Sequence, residues 1–203
     1  MGSRLVTYGL ILMSLVGVWQ LGLAGKFYAK AWLAEQLIEK AWQRTLEGET
    51  KVRPWPWADT WPVAELSLPR LGIRQRVLSG DSGRVLAFGA GLTESTAQLG
   101  QSGLSIVSGH RDTNFNFLQN IKTGDVLNIK SPLGEFEYQI QDFAGVDQRD
   151  FHVDQESHAE RRESRLILVS VYSCAALNAG GDQRSITVAT AINPPTPRTI
   201  RHE

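Results

Sequence analysis

The stretch RLILVSVYS, residues 165–173, decides the fold class of this chain of 203 residues. It is almost continuously apolar, which is typical of a central strand buried on both faces. The single cysteine of the chain, Cys174, follows it directly. Ile186, Val188 and Ala189 begin the next apolar run. We therefore expect a second strand that returns beside the first.

Working outward, the remainder of the chain after residue 62 reads as short strands separated by turns. Phe136, Tyr138 and Ile140 alternate with polar residues, which indicates a half-buried strand. Residues 126–129 precede it across a Pro-Gly turn, so we expect a hairpin, and residues 116–122 read as one short helix. Turns about every ten residues predict a mainly β domain, either a barrel or a sandwich.

The N-terminal segment differs in character from this domain. Residues 5–24 carry no charge, and about 20 apolar residues in a helix span a hydrocarbon core of roughly 30 Å. We predict a cytoplasmic tip over residues 1–4 and a transmembrane helix over residues 5–25. A cleavable signal peptide is the alternative; its apolar core is normally shorter, roughly 7–15 residues, but Leu23-Ala24-Gly25 loosely resembles a cleavage site.

Three further segments follow from composition. Residues 26–61 are predicted to form a helical stalk at the bilayer surface and then an irregular collar rich in Pro and Trp, since all six tryptophans fall at or before Trp61. The β domain is predicted over 62–193. A flexible tail is predicted over 194–203.

Bulk composition excludes several function classes. Lys plus Arg and Asp plus Glu number 21 each, so no basic excess indicates nucleic-acid binding. One cysteine forms no internal disulfide and supplies no multi-thiolate zinc site. No carboxylate cluster suggests a metal, and we expect neither a metal nor a cofactor.

Three side chains together suggest acyl transfer. Cys174 lies 64 positions after His110 and ten before Arg184. A thiol supplies the nucleophile, an imidazole moves protons, and a guanidinium stabilises an oxyanion. Taken singly, each has a plainer interpretation: a buried apolar cysteine, a surface-loop histidine and a strand-edge cation. Topology favours the trio, because Cys174 ends one strand and Arg184 starts the next.

These residues resemble a known family. SGHRDTNF, residues 108–115, with the stretch that follows to residue 125, is similar to the histidine region of sortases, which are membrane-anchored cysteine transpeptidases. Residues 51–62 resemble the collar of the Gram-negative subgroup, called class GN or proteobacterial sortases. The resemblance implies an eight-stranded β-barrel with short helices, preceded by the transmembrane helix and stalk.

The resemblance also contains a departure. Sortases end a strand with Thr-Leu-x-Thr-Cys, and SVYSC, residues 170–174, satisfies that motif with conservative changes. An ungapped match to the subgroup, anchored on Arg184, instead places the nucleophile at Val171, thirteen positions earlier. Either Cys174 is the nucleophile with a shortened loop, or the active position has been lost. Strand alternation leaves both open, and the retained His110 and Arg184 favour the first.

The resemblance implies a mechanism and a location. Cys174 would attack the Thr–Gly amide of a Leu-Pro-x-Thr-Gly-like sorting signal on a secreted partner, His110 would protonate the leaving amine, and Arg184 would hold the oxyanion. An amine or water would then resolve the thioester. Counting positive charges places the large domain inside. Sorting signals are presented outside, so we expect a single-pass protein of the inner membrane with a periplasmic barrel. A pseudoenzyme that binds such peptides without cleavage is the rival hypothesis.

Overall fold

The structure, a computed structural model, describes residues 2–147, 164–171 and 183–192. A long helix, α1, comes first, and a short helix, α2, lies between the second and third of eight strands. The helices are α1 (Gly2–Leu46) and α2 (Gly83–Leu86); the strands are β1 (Pro62–Leu68), β2 (Ile73–Ser79), β3 (Ala90–Leu92), β4 (Gly103–His110), β5 (Val126–Ser131), β6 (Gly134–Asp147), β7 (Ser164–Val171) and β8 (Gln183–Ala191). Two 3-10 turns cover Pro69–Leu71 and Asn116–Asn120.

The eight strands close into one barrel in the order β1-β2-β3-β4-β7-β8-β6-β5. Neighbours are antiparallel except for β2–β3 and β4–β7, which run parallel. The eight-stranded barrel is confirmed, and so is the predicted β5–β6 hairpin, in which Val126 pairs with Gln139. The helix predicted over 116–122 is a single 3-10 turn.

Side-chain alternation fills the barrel interior. Strand β1 alternates buried and half-buried residues along its whole length, as one core-facing side requires. Tyr138 is fully buried, and its hydroxyl lies 2.7 Å from Ser164 Oγ and accepts a hydrogen bond from the Gly100 N–H at 3.1 Å. Burial raises the pKa of Tyr138. The hydroxyl therefore remains protonated and ties β6 to β7 across the core.

The last turns of α1 belong to the globular domain. Ile38, Ala41 and Trp42 are buried, and the Arg76 guanidinium lies 5.5 Å from the centroid of the Trp42 ring. Arg76 also forms ion pairs with Glu39 on the helix and Glu65 on β1. The predicted stalk is thus not confined to the bilayer surface, because its end docks on the barrel.

Helix α1 runs without interruption from the predicted membrane segment to this docking site. Among the described residues it is the one helix long and apolar enough to cross a membrane, and none of its most apolar window is buried by protein. A signal sequence near the N-terminus would also be an apolar helix that the protein does not bury. The boundaries at residues 5 and 25 stay predictions.

The collar after α1 is irregular and packed, as predicted. Val52 and Ala58 are buried, and the Thr60 hydroxyl donates a hydrogen bond of 2.7 Å to the Ser79 carbonyl at the end of β2. The Lys51 ammonium lies 5.5 Å from the centroid of the Trp61 ring. These contacts fix the path from helix to barrel without regular structure.

Candidate functional site

Strands β4, β7 and β8 are consecutive in the barrel and align three positions side by side. His110, the last residue of β4, pairs in register with Val171, the last residue of β7. The Arg111 N–H donates a hydrogen bond of 2.9 Å to the Val171 carbonyl and locks this register. Between β7 and β8 the pairing runs as far as Val169 with Ile186. If that antiparallel register continued by two residues, Val171 would lie opposite Arg184.

We call His110, Val171 and Arg184 the row. Neighbouring strands lie about 4.8 Å apart, so the backbone of Val171 stands roughly 5 Å from each flanking strand. Residues on adjacent strands in register project to the same face. The row therefore sets the backbones of His110, Val171 and Arg184 side by side, in that order.

The row ends an apolar cluster outside the barrel core, which we call the outer face; Leu104, Ile167, Val169 and Ile186 are buried in it. Its side chains form a cluster separate from the barrel core, and Val171 packs against that cluster; the members are Leu104, Ile106, Ile167, Val169, Val171, Ile186 and Val188. By alternation, position 110 shares the face of Ile106. The half-buried members of the outer face, Ile106, Val171 and Val188, thus form an apolar floor that leads to His110.

Close packing behind His110 sets its position. A Cβ built on Gly109 would lie only 2.7 Å from the Phe115 ring, so residue 109 must be glycine for that ring to pack inside the barrel. Phe115 is fully buried and its N–H donates to the His110 carbonyl at 2.9 Å. The chain therefore turns sharply after His110, and the turn is anchored in the core.

The segment after His110 is also tied to neighbouring elements. The Asn114 side-chain amide donates to the Leu86 carbonyl of α2 at 3.2 Å, and the Gln75 amide of β2 donates to the Asn114 carbonyl at 2.9 Å. Asp112 accepts a hydrogen bond from Arg111 Nε at 3.0 Å. Asp112 thus pairs with its neighbour, which fits a loop role better than orientation of His110.

The His110 ring is unusual in one respect. Its Nδ1 atom is buried and has no hydrogen-bond partner among the described residues. Leaving a buried polar atom unpaired costs about 1–3 kcal/mol. Val171, its neighbour in the row, offers only methyl groups. The buried nitrogen therefore gains a hydrogen bond only if the His110 ring turns or a neighbouring group moves.

The backbone of two of the three predicted catalytic residues, His110 and Arg184, lies within the described strands. His110 lies at the end of β4, and Arg184 is in β8, paired through its backbone with Val146 of β6. Cys174 lies outside the described residues, three positions beyond the end of β7. The sequence left open whether Val171 or Cys174 occupies the position of the nucleophile. A long-range strand pairing was the missing information, and no local signal in the chain supplies it.

Within the ranges that the structure describes, no three His, Cys, Asp or Glu side chains come together as metal ligands would. The expectation that no metal takes part stays a prediction.

Comparison with known proteins places this barrel in a family. The Sortase domain model matches residues 66–192. Sortase D of Bacillus subtilis (strain 168) is 30% identical over 107 residues, which are 53% of this chain and 52% of that protein. The chain therefore matches about half the length of this curated relative.

Solved structures agree on the fold. A Clostridium perfringens sortase D5 transpeptidase superposes with a TM-score of 0.55 at 20% identity, covering 76% of this chain and 89% of that one. Sortase C of the same species, solved with the C-terminal cell wall sorting motif, gives 0.54 at 17% identity, covering 81% and 90%. At these identities the likeness shows the barrel architecture alone.

Proposed function

The chain belongs to the sortase family, and we propose that it binds the C-terminal sorting signal of a secreted protein on its outer face. The observation that carries this proposal is the row, which lies at the end of an apolar floor in a family of transpeptidases. An extended Leu-Pro-x-Thr-Gly-like peptide has apolar residues for that floor. Its Thr–Gly carbonyl would then lie beside the imidazole and the guanidinium.

We further propose that the protein is held at the inner membrane by α1, with the barrel in the periplasm, as in the Gram-negative subgroup. Helix α1 supports this because its apolar half is exposed while its last turns are packed on the barrel. The presentation of sorting signals outside the membrane supports the orientation. The lipid bilayer and the secreted protein are thus the two partners.

Two outcomes of peptide binding are candidates. In the first, the Cys174 thiolate attacks the Thr–Gly carbonyl, a sulfur–carbon bond forms, and the carbon–nitrogen bond breaks. His110 gives its proton to the leaving amine, Arg184 stabilises the oxyanion, and an amine or water releases the acyl group from the thioester. Retention of both His110 and Arg184 favours this outcome.

In the second outcome the protein holds the peptide uncleaved, as a membrane-tethered binding module. The register of β4 and β7 favours this outcome, because the residue at the centre of the row is Val171. A valine side chain neither attacks a carbonyl nor forms a thioester. Of the two, the geometry of the described residues supports binding without cleavage better.

One experiment tests the binding proposal and separates the outcomes. The full chain in detergent is titrated against a fluorescent Leu-Pro-x-Thr-Gly peptide, and cleavage is followed in parallel with a fluorogenic version. Saturable binding that is weakened by a charge on the outer face is expected. Absence of binding to the parent chain contradicts the proposed function, whatever the cleavage assay gives. Turnover that disappears in Cys174→Ala identifies the transpeptidase.

A further inference from the structure

We infer that Val171 occupies the position of the nucleophile, so that this barrel keeps the recognition surface of an acyl-transfer site without its reactive atom. The inference rests on the proposed function for its ligand but on strand register for its geometry. It makes the centre of the row, and not the segment after it, the place where a single substitution would install chemistry.

The first step of the argument is electrostatic. A thiol at position 171 would have a histidine position about one strand spacing away on β4 and an arginine position about one spacing away on β8. Cationic neighbours lower the pKa of a thiol and increase its thiolate fraction at neutral pH. No other position of β7 has both residue types beside it. Position 171 is therefore the place on this strand best suited to a reactive thiol.

The second step concerns what valine does there. Val171 is half-buried and packs against the cluster of the outer face. Its branched side chain has one strongly preferred rotamer in many backbone settings and is well suited to a strand. It extends the apolar floor up to His110. The side chain thus acts as part of a binding surface and gives the row no hydrogen-bonding group.

The third step concerns the unpaired ring nitrogen. Among the described residues, His110 Nδ1 is buried and lacks a partner, and Val171 does not provide one. An extended peptide lying along β7 would pair with this nitrogen once the His110 ring turns outward, because the atom is buried in the free chain. The same contact would add affinity without any covalent step. A retained histidine is therefore useful to a barrel that only binds.

The test moves the thiol to the centre of the row in the full chain. The variant V171C/C174A carries its one cysteine at the proposed position, and V169C/C174A is the matched control. The control makes the same substitution on the same strand and face, about 7 Å away. Each is compared with the parent and with Cys174→Ala for cleavage of the fluorogenic peptide, with circular dichroism to verify folding.

We expect the parent and Cys174→Ala to show no turnover, V169C/C174A to show none, and V171C/C174A to hydrolyse the peptide. In the active variant, His110→Gln should lower turnover at least tenfold. Parent turnover that Cys174→Ala abolishes would overturn the inference. A folded V171C/C174A that is as inert as the control would also overturn it.

A second readout does not depend on the peptide, so it separates failure of this inference from failure of the proposed function. The rate of alkylation by iodoacetamide is measured against pH for both single-cysteine variants. Because Val169 is only 3% exposed and burial alone raises the pKa of a thiol, the decisive comparison is made at position 171. There Arg184→Gln should raise the pH at which the thiol titrates by about one unit or more. An unchanged titration in V171C/C174A/R184Q would contradict the placement of the cationic neighbours.

Discussion

Substitution of Gly109 by alanine tests how the site is built, because this glycine lies directly under the ring of Phe115. An added Cβ would come within 2.7, 2.8 and 2.9 Å of three ring carbons. Favourable carbon–carbon contacts lie at about 3.5–4.0 Å, so the ring has to move by roughly 1 Å. Phe115 is fully buried, so its ring cannot move out into solvent without disturbing its neighbours.

Overpacking of this kind costs about 1–3 kcal/mol. For a domain of this size each kcal/mol lowers the melting temperature by about 3 °C, so Gly109→Ala should melt about 3–9 °C below the parent. Because Phe115 anchors the turn after His110, peptide affinity should fall as well. The assay is thermal unfolding of the full chain in detergent, followed by circular dichroism and tryptophan fluorescence.

The matched control is Gly83→Ala at the start of α2, where an added Cβ meets no atom within 4 Å. It should melt within about 1 °C of the parent or slightly above it. Phe115→Leu should partly rescue Gly109→Ala, since a smaller side chain makes room and the two changes then fail to add. The reasoning is refuted if both alanine variants melt together with the parent.

Three further outcomes are expected. Trp42→Ala should destabilise the fold by about 3–5 kcal/mol in urea titrations. A chain that starts at residue 51 should aggregate, whereas a chain that starts at residue 26 should fold. Equal melting of the two truncated chains would contradict the docking of α1. The Arg70 guanidinium holds the pKa of Asp125 below its usual value. The Asp125 carboxylate therefore stabilises the fold above about pH 4, and this stabilisation is lost as pH falls through the lowered pKa. The melting temperature of Asp125→Asn should depend less on acid pH than that of the parent, and an unchanged dependence would argue against the Arg70–Asp125 pair. Ile106→Asp, on the outer face, should weaken peptide binding at least tenfold by anisotropy while the solvent-facing Lys130→Asp leaves it unchanged; equal affinities would place the peptide elsewhere.

Local patterns predicted most of the barrel. The apolar run in β7 and the alternation in β6 follow from the period of a strand, and the β5–β6 hairpin follows from the turn residues between them. The stalk was predicted as a helix for the same reason. That its last turns enter the core was not predictable, because Trp42 and Ile38 fit a bilayer surface as well as a protein surface.

The site was only partly predictable. His110 and Arg184 were found from residue type and spacing, but the parallel pairing of β4 with β7 joins segments about sixty residues apart. Such a register depends on tertiary packing and leaves no local signal. The sequence therefore left Val171 and Cys174 as two candidates for one position, and the retained His110 and Arg184 favoured Cys174. Strand register favours Val171 as the residue beside His110, while the place of Cys174 stays a prediction.

The most direct measurement is a crystal structure of the chain after incubation with a Leu-Pro-x-Thr-Gly peptide. We predict an intact peptide along β7, with its Thr–Gly carbonyl over the Val171 side chain and between the His110 ring and the Arg184 guanidinium. A carbonyl carbon bonded to the Cys174 sulfur, or a peptide seated away from these three residues, would contradict this account.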